Sequence, residues 1–140
     1  MSTEKTSGGN GCVIRILSRT DGKSSLFALK GTLTVEKSGF TLRYKQDEST
    51  VTIKSEGEYV TMTREGEFFI KLCFSAGMTV KGEIGLSPEA RGEVETYTRR
   101  AASFRYANDK KVKIILEYTL RFSSGETQET FLQLLAERAA

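Results

Sequence analysis

From Cys12 almost to its end, this chain repeats one local pattern: a short stretch of alternating apolar and polar side chains, then a polar or glycine-bearing turn. Successive side chains on an extended strand point to opposite faces. A period of two therefore marks a strand with one buried and one wet face. Val13, Ile14, Ile16 and Leu17 start the first strand, which ends near Ser18-Arg19. Thr20-Asp21-Gly22-Lys23 is a turn, and Asp-Gly is the strongest short hairpin signal. Phe27, Leu29, Gly31, Leu33 and Val35 alternate with polar or small neighbours, and Glu36-Lys37-Ser38-Gly39 turns the chain. Phe40, Leu42 and Tyr44 follow, then Val51 and Ile53, then a break at Glu56-Gly57-Glu58 before Tyr59 to Thr63. Arg64-Glu65-Gly66-Glu67 is the next turn.

Beyond it, Phe68, Ile70, Leu72 and Phe74 form one face, and Phe69, Lys71 and Cys73 the other. Ala76-Gly77 leads to Met78, Val80 and Ile84, and Pro88 falls in a polar loop where its missing N–H costs nothing. Val94, Thr96 and Thr98 open a long strand. Its alternation breaks at Ala101-Ala102, read as a bulge or bend, and resumes with Phe104 and Tyr106. After Asn108-Asp109-Lys110, the run Val112, Ile114, Leu116, Tyr118, Leu120 and Phe122 alternates most cleanly of all. Thr127 to Ala140 fits a helix through Phe131, Leu134, Leu135 and Ala139, or a strand through Thr130, Leu132 and Leu134. A strand paired with its predecessor, fraying after Leu135, is the simpler reading.

These are roughly ten strands joined mostly by short turns, the spacing of an all-β sandwich or barrel. Sequential antiparallel neighbours leave two bare edges unless the sheet closes into an up-and-down barrel. Gly31, Gly82 and the Ala101-Ala102 break suit a sheet that must curl. A chain of 140 residues holds one domain, read here as 12–140 after a disordered arm over 1–11.

Composition excludes more than it suggests. The chain has no His and no Trp, which removes His-based triads and the commonest general base and metal ligand. Cys12 and Cys73 alone cannot assemble a structural zinc site. No phosphate loop or other cofactor motif is present, so none is expected. No apolar run approaches a membrane span and no secretory signal is visible, so the expected compartment is the cytoplasm. Arg99, Arg100, Arg105, Lys110, Lys111 and Lys113 lie close together, interleaved with Phe104 and Tyr106. That is a weak pointer to single-stranded nucleic acid, an unfavoured partner without an RNA-binding motif.

Thr63-Arg64-Glu65-Gly66, Phe74, Gly77, Gly92-Glu93-Val94-Glu95, Tyr97-Thr98 and Glu117-Tyr118-Thr119-Leu120 occur in this order. Through them the stretch from Cys12 to Leu135 resembles the YwiB-like family, a bacterial group of unknown function. The resemblance implies a calycin-like, lipocalin-like β-barrel and no established activity. The chain departs from the family in two places. Lys45-Gln46 follow Tyr44 where an acidic pair is frequent, and Arg100 stands where a second Thr is common. Neither a lipocalin Gly-x-Trp nor the Arg-x-Tyr of fatty-acid-binding proteins is present, so the ligands of those proteins do not carry across.

Arg64 alternates with Val60 and Met62. If that face points inward, its guanidinium needs an internal anion or a ligand carboxylate or phosphate; the other reading is that Arg64, at the strand end, lies over the rim with its stem covering apolar surface. Thr96, Thr98 and Arg100 share a face with Val94, and Tyr118 one with Leu116 and Leu120. Such residues would line a mostly apolar lumen with a few polar groups, or a barrel filled by its own side chains. Cys73 has no base to activate it, and Glu93, Glu95 and Glu117 belong to wet faces, so no catalytic residue is named. The leading expectation is non-catalytic binding of a small apolar or weakly anionic ligand by Arg64, Thr98, Tyr118 and Arg100. The rival is a solid-core protein that self-associates, for instance as a homodimer through Phe69 and Val60 or Tyr59.

Overall fold

The computed structural model describes residues 11–87, 89–106 and 108–138. Apart from Gly11, the arm expected over 1–11 lies outside the described residues, and so does Pro88. Ten strands follow one another: β1 (Gly11–Thr20), β2 (Lys23–Val35), β3 (Gly39–Gln46), β4 (Ser49–Glu56), β5 (Tyr59–Glu65), β6 (Phe69–Phe74), β7 (Thr79–Gly85), β8 (Arg91–Tyr106), β9 (Lys111–Phe122) and β10 (Thr127–Arg138). Each is antiparallel to the next, and β1 also pairs with β10, so the meander closes into a barrel. Closure removes the bare edges that ten alternating strands would otherwise expose.

Turn chemistry does what the sequence requires of it. Asp21 and Gly22 both take positive φ, at 48° and 86°, the pair of left-handed residues that joins strands in a two-residue hairpin. Asn108 and Asp109 do the same between β8 and β9.

Two local expectations are corrected. Strand β10 does not fray after Leu135. It continues to Arg138, whose Cα lies opposite Cys12 of β1. Pairing on both flanks holds the end extended, and its enclosed face reads Thr130, Leu132, Leu134, Ala136. The break in β8 lies upstream of Ala101-Ala102. Thr98 pairs with Tyr118 and Arg100 with Glu117, so Arg99 is the extra residue of a bulge. A one-residue bulge swaps the faces of everything after it. Val94, Thr96 and Thr98 point inward before it, whereas Arg100, Phe104 and Tyr106 lie on the outer face after it.

The bulge also closes one end of the barrel. Beyond Tyr97, β8 has no β7 partner, and Ser103 accepts a 2.6 Å hydrogen bond from the Ser55 hydroxyl at the end of β4. At this end the interior is solid: Ile14, Leu33, Leu42, Ile53, Phe74, Ile114, Leu116 and Leu134 are fully enclosed. The three residues expected at a self-association surface lie in different surroundings. Val60 is buried within the barrel, Phe69 lies on the outer face covered by the Arg91 guanidinium, 5.1 Å from its ring centre, and Tyr59 alone of the three is exposed. Among the described residues, no helix is long and apolar enough to cross a membrane.

Candidate functional site

The opposite end of the barrel is hollow. A cavity of about 360 Å³ opens there, among the turns that join β1 to β2, β3 to β4, β5 to β6 and β9 to β10. Its deeper wall is apolar, with Ile16, Val51, Met62, Ile70, Leu72, Leu120 and Leu132. Its rim is polar and uncharged, with Ser18, Thr20, Ser25, Gln46 and Gln128. The interior is thus filled at one end and open at the other. A small-molecule site has this make-up, mostly apolar with a few convergent polar groups.

Register explains how the polar groups reach it. One cross-strand row runs Gly31, Tyr44, Val51, Arg64, Ile70, Ile84. Side chains directly opposite on neighbouring strands share a face. Arg64 therefore points inward because Val51 and Ile70 do. Gly31 leaves room beside Tyr44: a Cβ there would stand 2.6 Å from the Arg43 carbonyl and 2.7 Å from Ile14 Cδ1. A second row runs Thr98, Tyr118, Thr130, Thr20. The Tyr118 hydroxyl bonds Thr130, whose Oγ lies 3.3 Å from that of Thr20. A chain of hydroxyls thus leads from the buried ring of Tyr118 to the rim.

Arg64 is the one charged side chain among the described residues that line the cavity. It is half-buried, it makes no salt bridge with a described residue, and its Nε is enclosed without a hydrogen-bond partner. Its guanidinium carbon lies 5.6 Å from the centre of the Phe68 ring, a cation–π contact that leaves its donors free. Its positive charge is close enough to pull down the affinity of Tyr44 for its proton. Burial outweighs that pull and raises the Tyr44 hydroxyl to about 12. Burial likewise raises Tyr118 to about 12, against a smaller opposing effect of the Thr130 bond.

These two tyrosines make stability depend on pH. A folded-state value raised above the unfolded 10 favours the neutral form in the native state. The contribution is complete below pH 10 and disappears as pH rises towards 12 and beyond. Two units correspond to about 2–3 kcal/mol for each tyrosine. Urea unfolding from pH 8 to 12 is expected to show this loss, reduced in Tyr44→Phe and in Tyr118→Phe. A loss unchanged in both variants would assign it to other groups.

Of the residues expected at the site, Arg64 and Tyr118 line the cavity. Thr98 does not. It is wholly enclosed beneath Tyr118, and its Oγ has no hydrogen-bond partner. A buried hydroxyl without a partner is destabilising, so Thr98→Val is expected to raise stability by about 1 kcal/mol and to leave ligand affinity unchanged. Equilibrium unfolding checks the first part, and a fall in stability contradicts it. Arg100 is also displaced: the bulge at Arg99 puts it on the outer face, 3.7 Å from Glu117. Tyr44, Thr20 and Thr130 were not anticipated. Tyr44 ends the apolar face Phe40, Leu42, which was the available signal.

Outside the cavity, Cys73 faces away from the core and burial pushes its thiol up, the wrong direction for a nucleophile. The Phe104 and Tyr106 rings stack on the outer face, 6.2 Å apart, opposite Lys113 and Lys111. Arg105 is bound by two hydrogen bonds to Asp109.

The barrel is similar to the crystal structure of the ywiB protein from Bacillus subtilis, with a TM-score of 0.75 at 16% identity. The alignment covers 96% of this chain and 99% of that chain, and at such identity the likeness speaks for the fold. No curated protein matches the chain. Residues 14–134, which hold Arg64, Tyr44, Tyr118 and the rest of the cavity wall from β1 to β10, match the family described as Domain of unknown function (DUF1934). The chain therefore belongs to DUF1934, the YwiB-like group that its Thr63–Gly66 and Gly92–Glu95 stretches resemble.

Proposed function

We propose that this protein is a non-catalytic, cytoplasmic binder of a small, mainly apolar and weakly anionic molecule held in the open end of the barrel. Arg64 anchors the anionic group, while Tyr44, Tyr118 and Thr130 offer hydroxyls. The observation that carries this reading is that the guanidinium of Arg64 has no ion-pair partner among the described residues and is the one charge they bring to the cavity. A half-buried charge without an anion among the described residues fits a site whose anion comes from outside. The apolar deep wall suits the remainder of the ligand, and about 360 Å³ lies at the small end of ligand pockets. The free thiols of Cys12 and Cys73 accord with a reducing compartment.

Two measurements test the reading. Native mass spectrometry of freshly purified protein is expected to show a co-purifying mass that leaves on denaturation. Medium-chain carboxylates and an aryl sulfonate dye are expected to raise the melting temperature with concentration, as mass action requires. Absence of both effects overturns the proposal in favour of a barrel that only supports its own fold.

A further inference from the structure

The wall of the barrel is not equally sealed all the way round. Strands β6 and β7 are bridged at Phe69–Gly85, Ile70–Ile84 and Lys71–Glu83, and no further. Beyond Lys71, β6 remains paired on its other flank, where Phe74 meets Val60. Beyond Glu83, β7 remains paired on its other flank as far as Thr79, opposite Tyr97. Leu72–Phe74 and Thr79–Gly82 thus face each other across a seam without ladder hydrogen bonds.

A depression of about 410 Å³ lies over this seam, flanked by Thr61, Thr63, Lys71, Cys73, Lys81 and Glu83. Its floor includes Leu72 and Gly82. Leu72 also lines the lumen, so one residue borders the outer depression and the inner cavity at once. Gly82 stands opposite the inward-facing Val94 and has no side chain to add to the wall. The space in front of it is held by Leu72: a Cβ on Gly82 would stand 2.9 Å from Leu72 Cδ2 and 2.6 Å from the Lys71 carbonyl.

We propose that the lumen has a second, lateral entrance between β6 and β7, closed by Leu72, and that ligand passes through it. This rests on the lumen being a binding site. An apolar molecule entering by the rim must strip water from Ser18, Thr20, Ser25, Gln46 and Gln128 without replacing those hydrogen bonds. The mouth of the depression is polar as well, with Lys71, Lys81, Glu83 and Glu93 around it, but behind that mouth the barrier is the rotation of one aliphatic side chain and the parting of two edges that share no ladder bonds. Side-chain rotation is fast, and local opening favours regions of this kind.

The native Cys73 makes the test direct. Continuing the register from Lys71–Glu83 places residue 81 opposite Cys73, and both line the depression. In Lys81→Cys the two thiols are joined by oxidation, or by a short bifunctional thiol reagent, and the bridge is verified by mass. Binding of anilinonaphthalenesulfonate is then followed by stopped-flow fluorescence. The bridged protein is expected to take up and release the dye roughly tenfold more slowly, with little change in equilibrium affinity, and reductive release of the disulfide restores both rates. In Leu72→Ala both rates are expected to rise. Equal rates with and without the bridge, or rates unmoved by Leu72→Ala, assign entry to the rim and overturn the lateral entrance alone. No dye binding by the unbridged protein overturns the lumen reading and the entrance with it.

Discussion

Replacing Arg64 by Met is expected to abolish the rise in melting temperature that a small carboxylate gives the wild-type protein, while the unliganded barrel becomes no less stable. The expectation follows from what Arg64 lacks. If a carboxylate inside the barrel balanced its charge, removing the arginine would strand that carboxylate and cost about 3–5 kcal/mol. No described residue forms a salt bridge with Arg64, and its enclosed Nε has no partner. Methionine keeps much of the aliphatic stem in its place between Val51 and Ile70 and removes a half-buried charge. The contact with the Phe68 ring is lost, but Phe68 is itself exposed, and such a pair is worth about 0.5–1 kcal/mol.

The ligand effect is the larger one. At a ligand concentration of about 100 Kd, mass action stabilises the native state by about 2.7 kcal/mol. For a domain of this size that is a shift of roughly 10 °C. Arg64→Lys is expected to recover part of it, because an ammonium supplies charge without the two-pronged geometry of a guanidinium. Thermal melts of wild type, Arg64→Met and Arg64→Lys, with and without carboxylate, decide the matter. An equal response in wild type and Arg64→Met removes Arg64 from the site. A steep loss of unliganded stability in Arg64→Met makes it part of the scaffold.

Much of this architecture was legible because strand alternation and turn chemistry are local. Asp21-Gly22 and the clean run from Val112 to Phe122 declare their conformation within a few residues, and inward Arg64 follows from its alternation with Val60 and Met62. What escaped the sequence depends on distant partners. The bulge is fixed by where β9 offers Tyr118 and Glu117 to β8, not by Ala101-Ala102 themselves, and one residue of slip moved Arg100 to the outside. The last turns of β10 stay extended because β1 pairs with them, which no local pattern near Leu135 could reveal. Whether the barrel is filled or hollow depends on the volumes that meet at each level. Leu33, Leu42, Ile53 and Leu134 fill one end, while Ser18, Ser25 and Thr130 leave the other open. For the same reason alternation alone offers Thr98 to a ligand, whereas in the barrel it is wholly enclosed opposite Tyr118.

The largest loss of stability from one substitution at the boundary between the solid and hollow halves is expected at Phe74. Its side chain is fully enclosed, and its ring centre lies 4.6 Å from that of Tyr118 at a tilt of 49°, a geometry that favours aromatic pairs. Phe74→Ala removes the ring, its contact with Tyr118 and the plug at the end of β6, where the wall is bridged on one flank only. Phenylalanine-to-alanine changes in a packed core cost about 3–5 kcal/mol, and the value depends on how far the surroundings can collapse. Here collapse is restrained, because β9 and β5 are held by ladder bonds on both sides and cannot follow the missing ring inward. Phe74→Leu, which keeps most of the volume, is expected to lose only about 1–1.5 kcal/mol. Urea unfolding of both variants measures the difference. A loss under about 1 kcal/mol in Phe74→Ala would mean that the seam end of β6 settles into the space and that Tyr118 is held by Thr130 alone. In that case the Tyr118 hydroxyl keeps its raised titration near 12; with the ring unsupported and water admitted, it moves back towards 10, which tyrosinate absorbance resolves.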